Sequence, residues 1–235
     1  MPAYQWILFD ADNTLFDFDQ AESSALAASF LRFRTGYQPE YGQLYHRVNA
    51  EIWAEFEQGR ITSTALRVER FRRLFAAAGL SIDAAEFSAV YLVELARGSQ
   101  LIPGAERLVT NLQRAGLRLA LVTNGLSDVQ RPRLASSPLA QCFEQVIISE
   151  EIGAQKPEAA FFEIAFQRMG SPMKETVLLV GDGIAADIKG GVNFGLDTCW
   201  YNPGAKPADV RYLPTFEVRS LEEILPIVMG TKHQI

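Results

Sequence analysis

The sequence predicts an α/β protein, with a doubly wound parallel sheet as a Rossmann-like core and an α-helical domain inserted after the first strand. Short apolar segments alternate with helical patterns in the second half of the chain, which is typical of a parallel sheet covered on both faces. Residues 18–97, by contrast, contain only helical patterns. Polar residues follow the ends of successive apolar segments, where the ligand sites of open α/β sheets lie.

Composition and charge narrow the functional class. The chain has 235 residues, of which 48% are hydrophobic and 21% charged, as in an ordinary globular protein with a substantial core. The net charge of -6 argues against a binder of nucleic acid polymers, because affinity for a phosphate backbone depends on clustered Lys and Arg. A small anionic substrate is compatible with this charge, since it needs only a local cationic pocket.

Cysteines, histidines and hydropathy exclude further classes. Cys142 and Cys199 have no metal-ligand spacing and are expected to be reduced, and His46 and His233 leave little for zinc or histidine chemistry. No apolar segment approaches the ~18 residues of a membrane span, and no signal-peptide pattern is evident. We therefore expect a cytoplasmic protein without a membrane partner, while the sequence does not indicate the oligomeric state.

The first strand carries the most informative segment. Trp6–Phe9 is apolar throughout, as in a buried strand, and Asp10 and Asp12 follow it. Side chains alternate along an extended backbone, so both carboxylates can point the same way from the carboxyl end of the strand. Two like charges there would repel unless a cation lies beside them, and Mg²⁺ prefers such oxygen ligands. An acidic loop cap is the alternative interpretation.

Residues 18–97 are predicted to form four antiparallel helices that pack as a bundle. Asp19 and Glu22 have the spacing of a capping box, which predicts that a helix opens there and extends to Phe33. Apolar residues with helical spacing, bounded by glycines, predict three more helices over 40–58, 63–78 and 83–97. The predicted domains are a helical domain, 18–97, and an α/β core formed by 1–17 and 98–235.

Two groups of side chains in the helical domain have both an ordinary and a functional interpretation. Four aromatic residues are expected to pack in its interior, although they could stack on a base: Phe33, Tyr37, Tyr45 and Trp53. Four arginines are expected to form a solvated helix face, although one could meet a substrate anion: Arg67, Arg70, Arg72 and Arg73.

The second half of the chain alternates helix and strand. Strands are predicted over 117–122, 146–149, 177–180 and 198–201, which gives five strands in all. Helices are predicted to open at Pro103-Gly104, after Gly125, at Pro157 and at Ile184. Ser220 and Glu223 form a second capping-box pattern for the last helix.

Chemically useful side chains follow the predicted strands: Asp10 and Asp12, Thr123 and Asn124, Lys156, and Asp182 with Asp187. Since parallel strands place their carboxyl ends at one edge of a sheet, we expect these groups to converge. Carboxylates for a metal, a hydroxyl and a lysine together suit a phosphoryl group. Alone, each would be an ordinary surface or cap residue.

Four ordered motifs resemble those of the haloacid dehalogenase superfamily: Asp10-Ala11-Asp12-Asn13-Thr14-Leu15, Thr123-Asn124, Lys156-Pro157, and Gly181-Asp182 with Asp187. The helical insert is similar to the helical cap of that superfamily. The resemblance implies that Asp10 is the nucleophile of an aspartyl-phosphate reaction and that Asp12 is its general acid and base. It also implies Mg²⁺ as the cofactor, held by Asp10, the main-chain carbonyl of Asp12, and Asp182.

The same resemblance assigns the remaining site residues. Thr123 and Lys156 would bind the phosphoryl oxygens with help from the Asn124 amide, and Asp187 would orient Lys156 or metal-bound water. Dehalogenases lack the carboxylate at Asp12, because they have no alkoxide leaving group to protonate. A phosphatase or phosphomutase is therefore favoured.

Several core segments are also similar to the bacterial pyrimidine 5′-nucleotidases of this superfamily, which act on UMP, dUMP and dTMP: Asp10 to Asp19, Asn124-Gly125 with Gln130, Ile148 to Pro157, and Gly191 to Pro203. The expected substrate is thus a small phosphate ester, a pyrimidine nucleoside 5′-monophosphate. The sequence departs from the motifs of these families at two places. Leu126-Ser127-Asp128 replaces a common Phe-Thr-Glu, and Gly183 stands where many superfamily members carry Ser, Asn or Asp.

Other interpretations stay open. Within phosphoryl transfer they are a phosphatase for phosphoglycolate or a sugar phosphate, and a sugar phosphomutase. Gly181–Ala186 also fits the G-x-G-x-x-A pattern of nicotinamide-dinucleotide binding, but Asp182 would face the pyrophosphate and no acidic residue ends the next strand. A non-catalytic receiver module would need neither the helical insert nor Asp12.

Overall fold

The computed structural model describes residues 4–207 and 211–230. It divides into two compact units. The α/β unit consists of the residues up to Asp17, Gln100–Ser127, and the residues from Leu134 onward, and the helical unit consists of Phe18–Ser99 and Asp128–Arg133. Within the described ranges no helix is both long and apolar enough to cross a membrane.

The α/β unit is built on one sheet in which all neighbouring strands are parallel. Its strands are β1 (Trp6–Phe9), β2 (Arg118–Thr123), β3 (Gln145–Ile148), β4 (Val177–Gly181), β5 (Asp197–Tyr201) and β6 (Phe216–Val218), in the order β3-β2-β1-β4-β5-β6. The prediction of a doubly wound parallel sheet is confirmed. The three-residue strand β6 was not predicted, because a segment that short has too little alternation to distinguish it from a loop.

The helical unit contains α1 (Phe18–Arg32), α2 (Pro39–Glu57), α3 (Ser63–Ala78) and α4 (Ala84–Arg97), close to the predicted spans. Helix α4 packs against α1 and α3, and α3 packs against α2. The side chains of Thr62 and Asp83 cap the starts of α3 and α4, and Gly79 ends α3 in the left-handed conformation. Phe71 and Phe87 are fully buried in the interior of this unit.

Three expectations for the helical unit are wrong: the capping role of Asp19, the exposure of Arg70 and the burial of Tyr37. Helix α1 begins at Phe18, so Asp19 lies inside its first turn instead of capping it. The Glu22 carboxylate is buried and accepts a hydrogen bond from Asn49 Nδ2 on α2 (2.9 Å). The solvated face predicted for the arginines does not include Arg70, which is 2% exposed.

Aromatic rings surround the buried Arg70 and Tyr45. The guanidinium of Arg70 lies 4.9 Å from the ring centre of Tyr91 and 5.1 Å from that of Phe71. Tyr45 is fully buried against Phe71, as expected for an interior residue, whereas Tyr37 is exposed. Sequence spacing places residues on a helix face but does not tell which face a neighbouring helix covers.

The described residues after Gln100 form six further α-helices: α5 (Ala105–Arg114), α6 (Ser127–Ala135), α7 (Ser149–Ile152), α8 (Ala159–Arg168), α9 (Lys189–Phe194) and α10 (Ile224–Val228). All belong to the α/β unit except α6, of which Asp128–Arg133 belong to the helical unit. Ile7 and Phe9 face a cluster that includes residues of α5 and α10, and Trp6 and Leu8 face one that includes residues of α8. The predicted capping box of Ser220 and Glu223 forms before α10. Both faces of the sheet are thus covered, and its carboxyl edge is left for a site.

Candidate active site

The predicted site residues meet where the central strands end. Asp10 directly follows β1, and its N–H donates to the carbonyl oxygen of Val180 on β4 (2.9 Å). Because β1 lies between β2 and β4, Asp10 is flanked by the strand ends at Thr123 and Gly181. Parallel pairing therefore brings Asp10, Thr123 and Asp182 to neighbouring positions along one edge.

The ammonium of Lys156 is buried and hydrogen-bonded to three acceptors. Nζ lies 2.6 Å from Asp10 Oδ1 and 2.7 Å from Asp187 Oδ1, and it donates to the carbonyl oxygen of Val122 (2.9 Å). An ammonium has three N–H donors, so all of them are used. Burial alone would lower the pKa of Lys156, but Asp10 and Asp187 raise it above its usual value, which keeps the lysine charged.

The side chain of Asn124 holds the main chain of Lys156. Its Oδ1 accepts from the Lys156 N–H and its Nδ2 donates to the Lys156 carbonyl oxygen, both at 2.8 Å. Lys156 lies in the loop between α7 and α8 and has no strand neighbour of its own. The amide of Asn124, directly after β2, supplies the two hydrogen bonds that an adjacent strand would give.

Thr14 links the ends of β1 and β4, a connection that was not predicted. Its hydroxyl donates to Asp10 Oδ2 (3.3 Å) and accepts from the Asp182 N–H (3.1 Å), and the residue is fully buried. Thr123 Oγ1 accepts from the Gly125 N–H (3.0 Å), which leaves its own hydrogen for another acceptor. The sequence signal for Thr14 was its place within the first motif, four residues after Asp10.

Asp187 is held by hydrogen bonds and by lack of space. It lies in a π-helix, Ile184–Ile188, where the sequence predicted a regular helix. Its Oδ2 accepts from the Gly183 N–H (3.0 Å). A Cβ at Gly181 would lie 2.3 Å from Asp187 Oδ2, so this position requires glycine. One at Gly183 would lie 3.0 Å from the same oxygen, so a side chain there would need a small shift of Asp187.

Three carboxylates form an acidic cluster at this edge. Asp10, Asp182 and Asp187 each offer an oxygen within 4.8 Å of the others. Burial raises the pKa of Asp10 well above its usual value against the opposing charge of Lys156, and burial followed by the charge of Asp187 raises that of Asp182 to about 7. When ionised, three carboxylates and one ammonium leave two negative charges, which a divalent cation would balance. The donor set fits such a cation.

Asp12 does not belong to this carboxylate cluster. It is half-buried and forms an isolated bridge with Phe16 in the turn after β1, where Asn13 has a positive φ of 58°. Its carboxylate is therefore separate from the group that could hold a metal. Trp200, which was not predicted as a site residue, donates from Nε1 to the carbonyl oxygen of Asp182 (3.0 Å) and supports the other side of the cluster.

Comparison with known proteins places these groups in a family context. A family model described as haloacid dehalogenase-like hydrolase matches residues 4–195. The chain is 39% identical to the HAD-hydrolase YfnB of Bacillus subtilis over 97% of each chain. It is 37% identical to the pyrimidine 5′-nucleotidase PynA of Streptococcus pneumoniae, over 94% of each chain. It is 35% identical to the pyrimidine 5′-nucleotidase YjjG of Escherichia coli, over 94% of this chain and 96% of that one.

Solved structures agree with the sequence relatives. The crystal structure of YfnB from Bacillus subtilis bound to magnesium matches with a TM-score of 0.90, over 96% of this chain and 98% of that chain. A 2-haloacid dehalogenase from Pseudomonas syringae, 27% identical, matches with a TM-score of 0.69 over 97% of this chain and 98% of that one.

Proposed function

This chain belongs to the haloacid dehalogenase-like hydrolase family, and we propose that it is a Mg²⁺-dependent phosphatase of nucleoside 5′-monophosphates. Its enzyme class, a hydrolase of phosphoric monoesters, is the one predicted from the sequence and carried by the names of its relatives. The observation that supports the proposal best is the buried Asp10, which is paired with Lys156 beside two further carboxylates.

Asp10 is the proposed nucleophile. Its Oδ forms a bond to phosphorus while the ester P–O bond breaks, and Asp12 donates a proton to the leaving oxygen. In the second step a water attacks phosphorus and gives its proton to Asp12. Phosphate leaves and the Asp10 carboxylate is restored, so atoms and charges balance over the cycle. The Lys156 ammonium opposes the effect of burial on the pKa of Asp10 and so favours the ionised form that attacks phosphorus.

The other residues bind and orient in this proposal. Asp10, the main-chain carbonyl of Asp12, and Asp182 would hold Mg²⁺, which would neutralise charge between the nucleophile and the phosphate. The Thr123 hydroxyl, with its hydrogen free of the Gly125 contact, donates to a phosphoryl oxygen.

Lys156 and the Asn124 amide complete the phosphate-binding group, and Asp187 orients Lys156 through the 2.7 Å contact. The helical unit is proposed to act as the cap domain, with 18–97 as its extent and 1–17 with 98–235 as the catalytic core.

The substrate is proposed to be a pyrimidine nucleotide, UMP, dUMP or dTMP. The names of PynA and YjjG support this, and so do the core segments that resemble pyrimidine 5′-nucleotidases. The proposal includes neither a nucleic acid polymer nor a membrane as partner. The cytoplasmic location stays a prediction from the sequence.

The test is phosphate release with Mg²⁺ across pyrimidine and purine monophosphates, phosphoglycolate and hexose phosphates. We expect the highest kcat/KM for a pyrimidine nucleotide. Asp10→Asn should lower turnover by on the order of 10⁴-fold or more, because the nucleophile is removed. The variant should keep its fold by circular dichroism, and Asp128→Asn, at an exposed position, is the matched control.

Two other outcomes would change the proposal. Preference for phosphoglycolate or a hexose phosphate would replace the substrate and keep the mechanism. Activity retained by Asp10→Asn would overturn the nucleophile assignment.

A further inference from the structure

Two asparagines of the α/β unit hold the main chain of a lysine in the same way. Asn202, directly after β5, accepts from the Lys206 N–H through Oδ1 and donates to the Lys206 carbonyl oxygen through Nδ2, both at 2.9 Å. Asn124, directly after β2, makes the matching pair of contacts with Lys156. We call each arrangement an asparagine clamp.

The clamps flank the acidic cluster symmetrically. In the order β2-β1-β4-β5, the carboxylates of Asp10 and Asp182 follow the two central strands, and the clamping asparagines follow the two outer ones. Asn202 and Asn124 are therefore at the same edge of the sheet, on opposite sides of the cluster. The first clamp serves a lysine that contacts Asp10, which raises the question of what the second lysine does.

Asn202 is buried and is hydrogen-bonded to β6 as well as to Lys206. It is 2% exposed, its N–H donates to the carbonyl oxygen of Val218 (2.8 Å), and its Nδ2 also donates to Glu217 Oε1 (2.7 Å). These contacts tie it to β6. A buried amide so fixed gives the loop residue Lys206 a defined main-chain position.

The side chain of Lys206 differs from that of Lys156. Among the residues that the structure describes, Lys206 Nζ has no hydrogen-bond or ion-pair partner, and the residue is exposed. Asn202 holds its main chain at the end of β5, next to β4 and Asp182, so Lys206 lies at the same edge of the sheet as the acidic cluster. All three N–H donors of Lys156 are used by acceptors of the protein. Lys206 therefore offers free cationic donors, whereas a phosphoryl oxygen that binds Lys156 must share or displace one of its present acceptors.

We propose that Lys206 is a substrate-binding residue whose ammonium contacts the phosphoryl oxygens of a phosphate monoester, and that Asn202 is the positioning residue that holds it. A dianionic substrate that approaches a cluster of carboxylates needs such a cation. This inference rests on the proposed function and adds to it a residue that the four motifs do not contain.

The first experiment compares Lys206→Met with Lys174→Met. Both remove one positive charge, but Lys174 precedes β4 and so lies at the opposite edge of the sheet. We expect Lys206→Met to raise KM for UMP about tenfold with a smaller change in kcat, and Lys206→Arg to restore most of the loss. Lys174→Met should match the wild type. An unchanged KM in Lys206→Met would overturn the proposal.

Ionic strength separates contact from long-range attraction. If Lys206 only steers the anion, the loss should disappear in about 0.5 M salt, where exposed charges are screened. That result would also overturn the proposal. A loss that persists in salt supports direct contact.

The clamp is tested by combining variants. Asn202→Ala should raise KM in the wild type but add little in the Lys206→Met background, because its effect passes through Lys206. Asn124→Ala, which breaks the other clamp, should have a similar effect in both backgrounds. Independent effects of Asn202→Ala and Lys206→Met would contradict the positioning role.

Binding of inorganic phosphate separates this inference from the proposed function. Calorimetric titration with phosphate and Mg²⁺ needs no turnover, and we expect Lys206→Met to weaken binding about tenfold relative to Lys174→Met. If the wild type hydrolyses no ester but this difference is found, the phosphatase proposal fails and the lysine site stands. If both variants bind phosphate as the wild type does, the lysine site fails. Lys206 is exposed, so Lys206→Met should keep the wild-type Tm.

Discussion

Each unit of this protein buries a polar centre, and the two centres are satisfied to different degrees. In the α/β unit, every N–H of Lys156 has an acceptor, and both oxygens of Asp187 have donors. In the helical unit, the buried centre of Glu22, Tyr45, Asn49, Arg70 and Tyr91 includes atoms with no hydrogen-bond partner of acceptable geometry among the described residues, namely Tyr45 Oη, Tyr91 Oη, Arg70 Nη2 and Asn49 Oδ1. Pairing is thus more complete around Lys156, which positions reactive groups, than in the centre of the helical unit.

The difference follows from where the main chain is available. At the strand ends, main-chain groups are free to pair with side chains, as the carbonyl of Val122 does with Lys156 and the N–H of Gly183 does with Asp187. Inside a helix these groups are already used by the helix itself. Polar side chains between helices therefore share the few available carbonyls, as Arg70 Nε and Ser88 Oγ share that of Arg67, or pair with one another, as Asn49 does with Glu22.

The largest expected effect comes from breaking the complete centre. Lys156→Met would leave Asp10 and Asp187 buried without their counter-charge, which should lower the free energy of unfolding by about 3–5 kcal/mol. Urea denaturation measures this loss, with Lys174→Met as the control for an exposed lysine. A loss below about 1 kcal/mol, the value of a surface pair, would mean that the centre does not depend on this ammonium.

The pH dependence of stability gives the second effect. Burial raises the pKa of Asp10 and Asp182, so without metal the folded state holds protons that the unfolded state has released. Stability of the metal-free protein should therefore fall as pH rises from about 4, the unfolded value, through about 7, the folded value of Asp182. Mg²⁺ should raise Tm more at pH 8 than at pH 5.5, because it competes with those protons.

Thermal unfolding in chelator across this pH range is the measurement. Asp182→Asn should flatten the profile, whereas Asp128→Asn, at an exposed position, should leave it unchanged. Stability that rises with pH over the same range would show that the carboxylates are already paired well enough without a metal.

The smallest effect is expected in the helical unit. Tyr45→Phe removes a buried hydroxyl whose interactions with Tyr91 and Arg70 lack good hydrogen-bond geometry, so the free energy of unfolding should change by less than about 0.5 kcal/mol. The same urea denaturation measures it, and Tyr4→Phe, which removes a hydroxyl bonded to Asp197 Oδ2 at 2.7 Å, is the matched control with a loss of about 1 kcal/mol. Equal losses in the two variants would mean that the helical centre is satisfied after all.

The contrast between the strand ends and the centre of the helical unit also explains which features could be predicted from the sequence. Asp10 and Asp182 directly follow or end strong apolar segments, and Lys156 lies in the connection after another. Since parallel topology brings strand ends together, their convergence could be expected. Local pattern also gave the spans of α2 to α4.

Features that depend on distant contacts could not be predicted. The spacing of Asp19 and Glu22 fits a capping box, but Glu22 contacts Asn49 on another helix. Arg70 resembles Arg67, Arg72 and Arg73 in sequence but is buried, because the rings of Phe71 and Tyr91 lie against its guanidinium. The contacts of Asn124 with Lys156 join residues that are 32 positions apart, and no local pattern indicates such a pair.

The crowding between Gly181 and Asp187 has a consequence for reading sequence variation in this protein. A methyl group at position 181 would lie 2.3 Å from Asp187 Oδ2 and would displace a carboxylate that contacts Lys156. Natural variants of this protein should therefore retain glycine at 181, although glycine has no side chain that could take part in chemistry. Invariance at such a position reflects the space that a neighbouring residue occupies. A method that ranks residues by invariance alone would mistake Gly181 for a reactive residue.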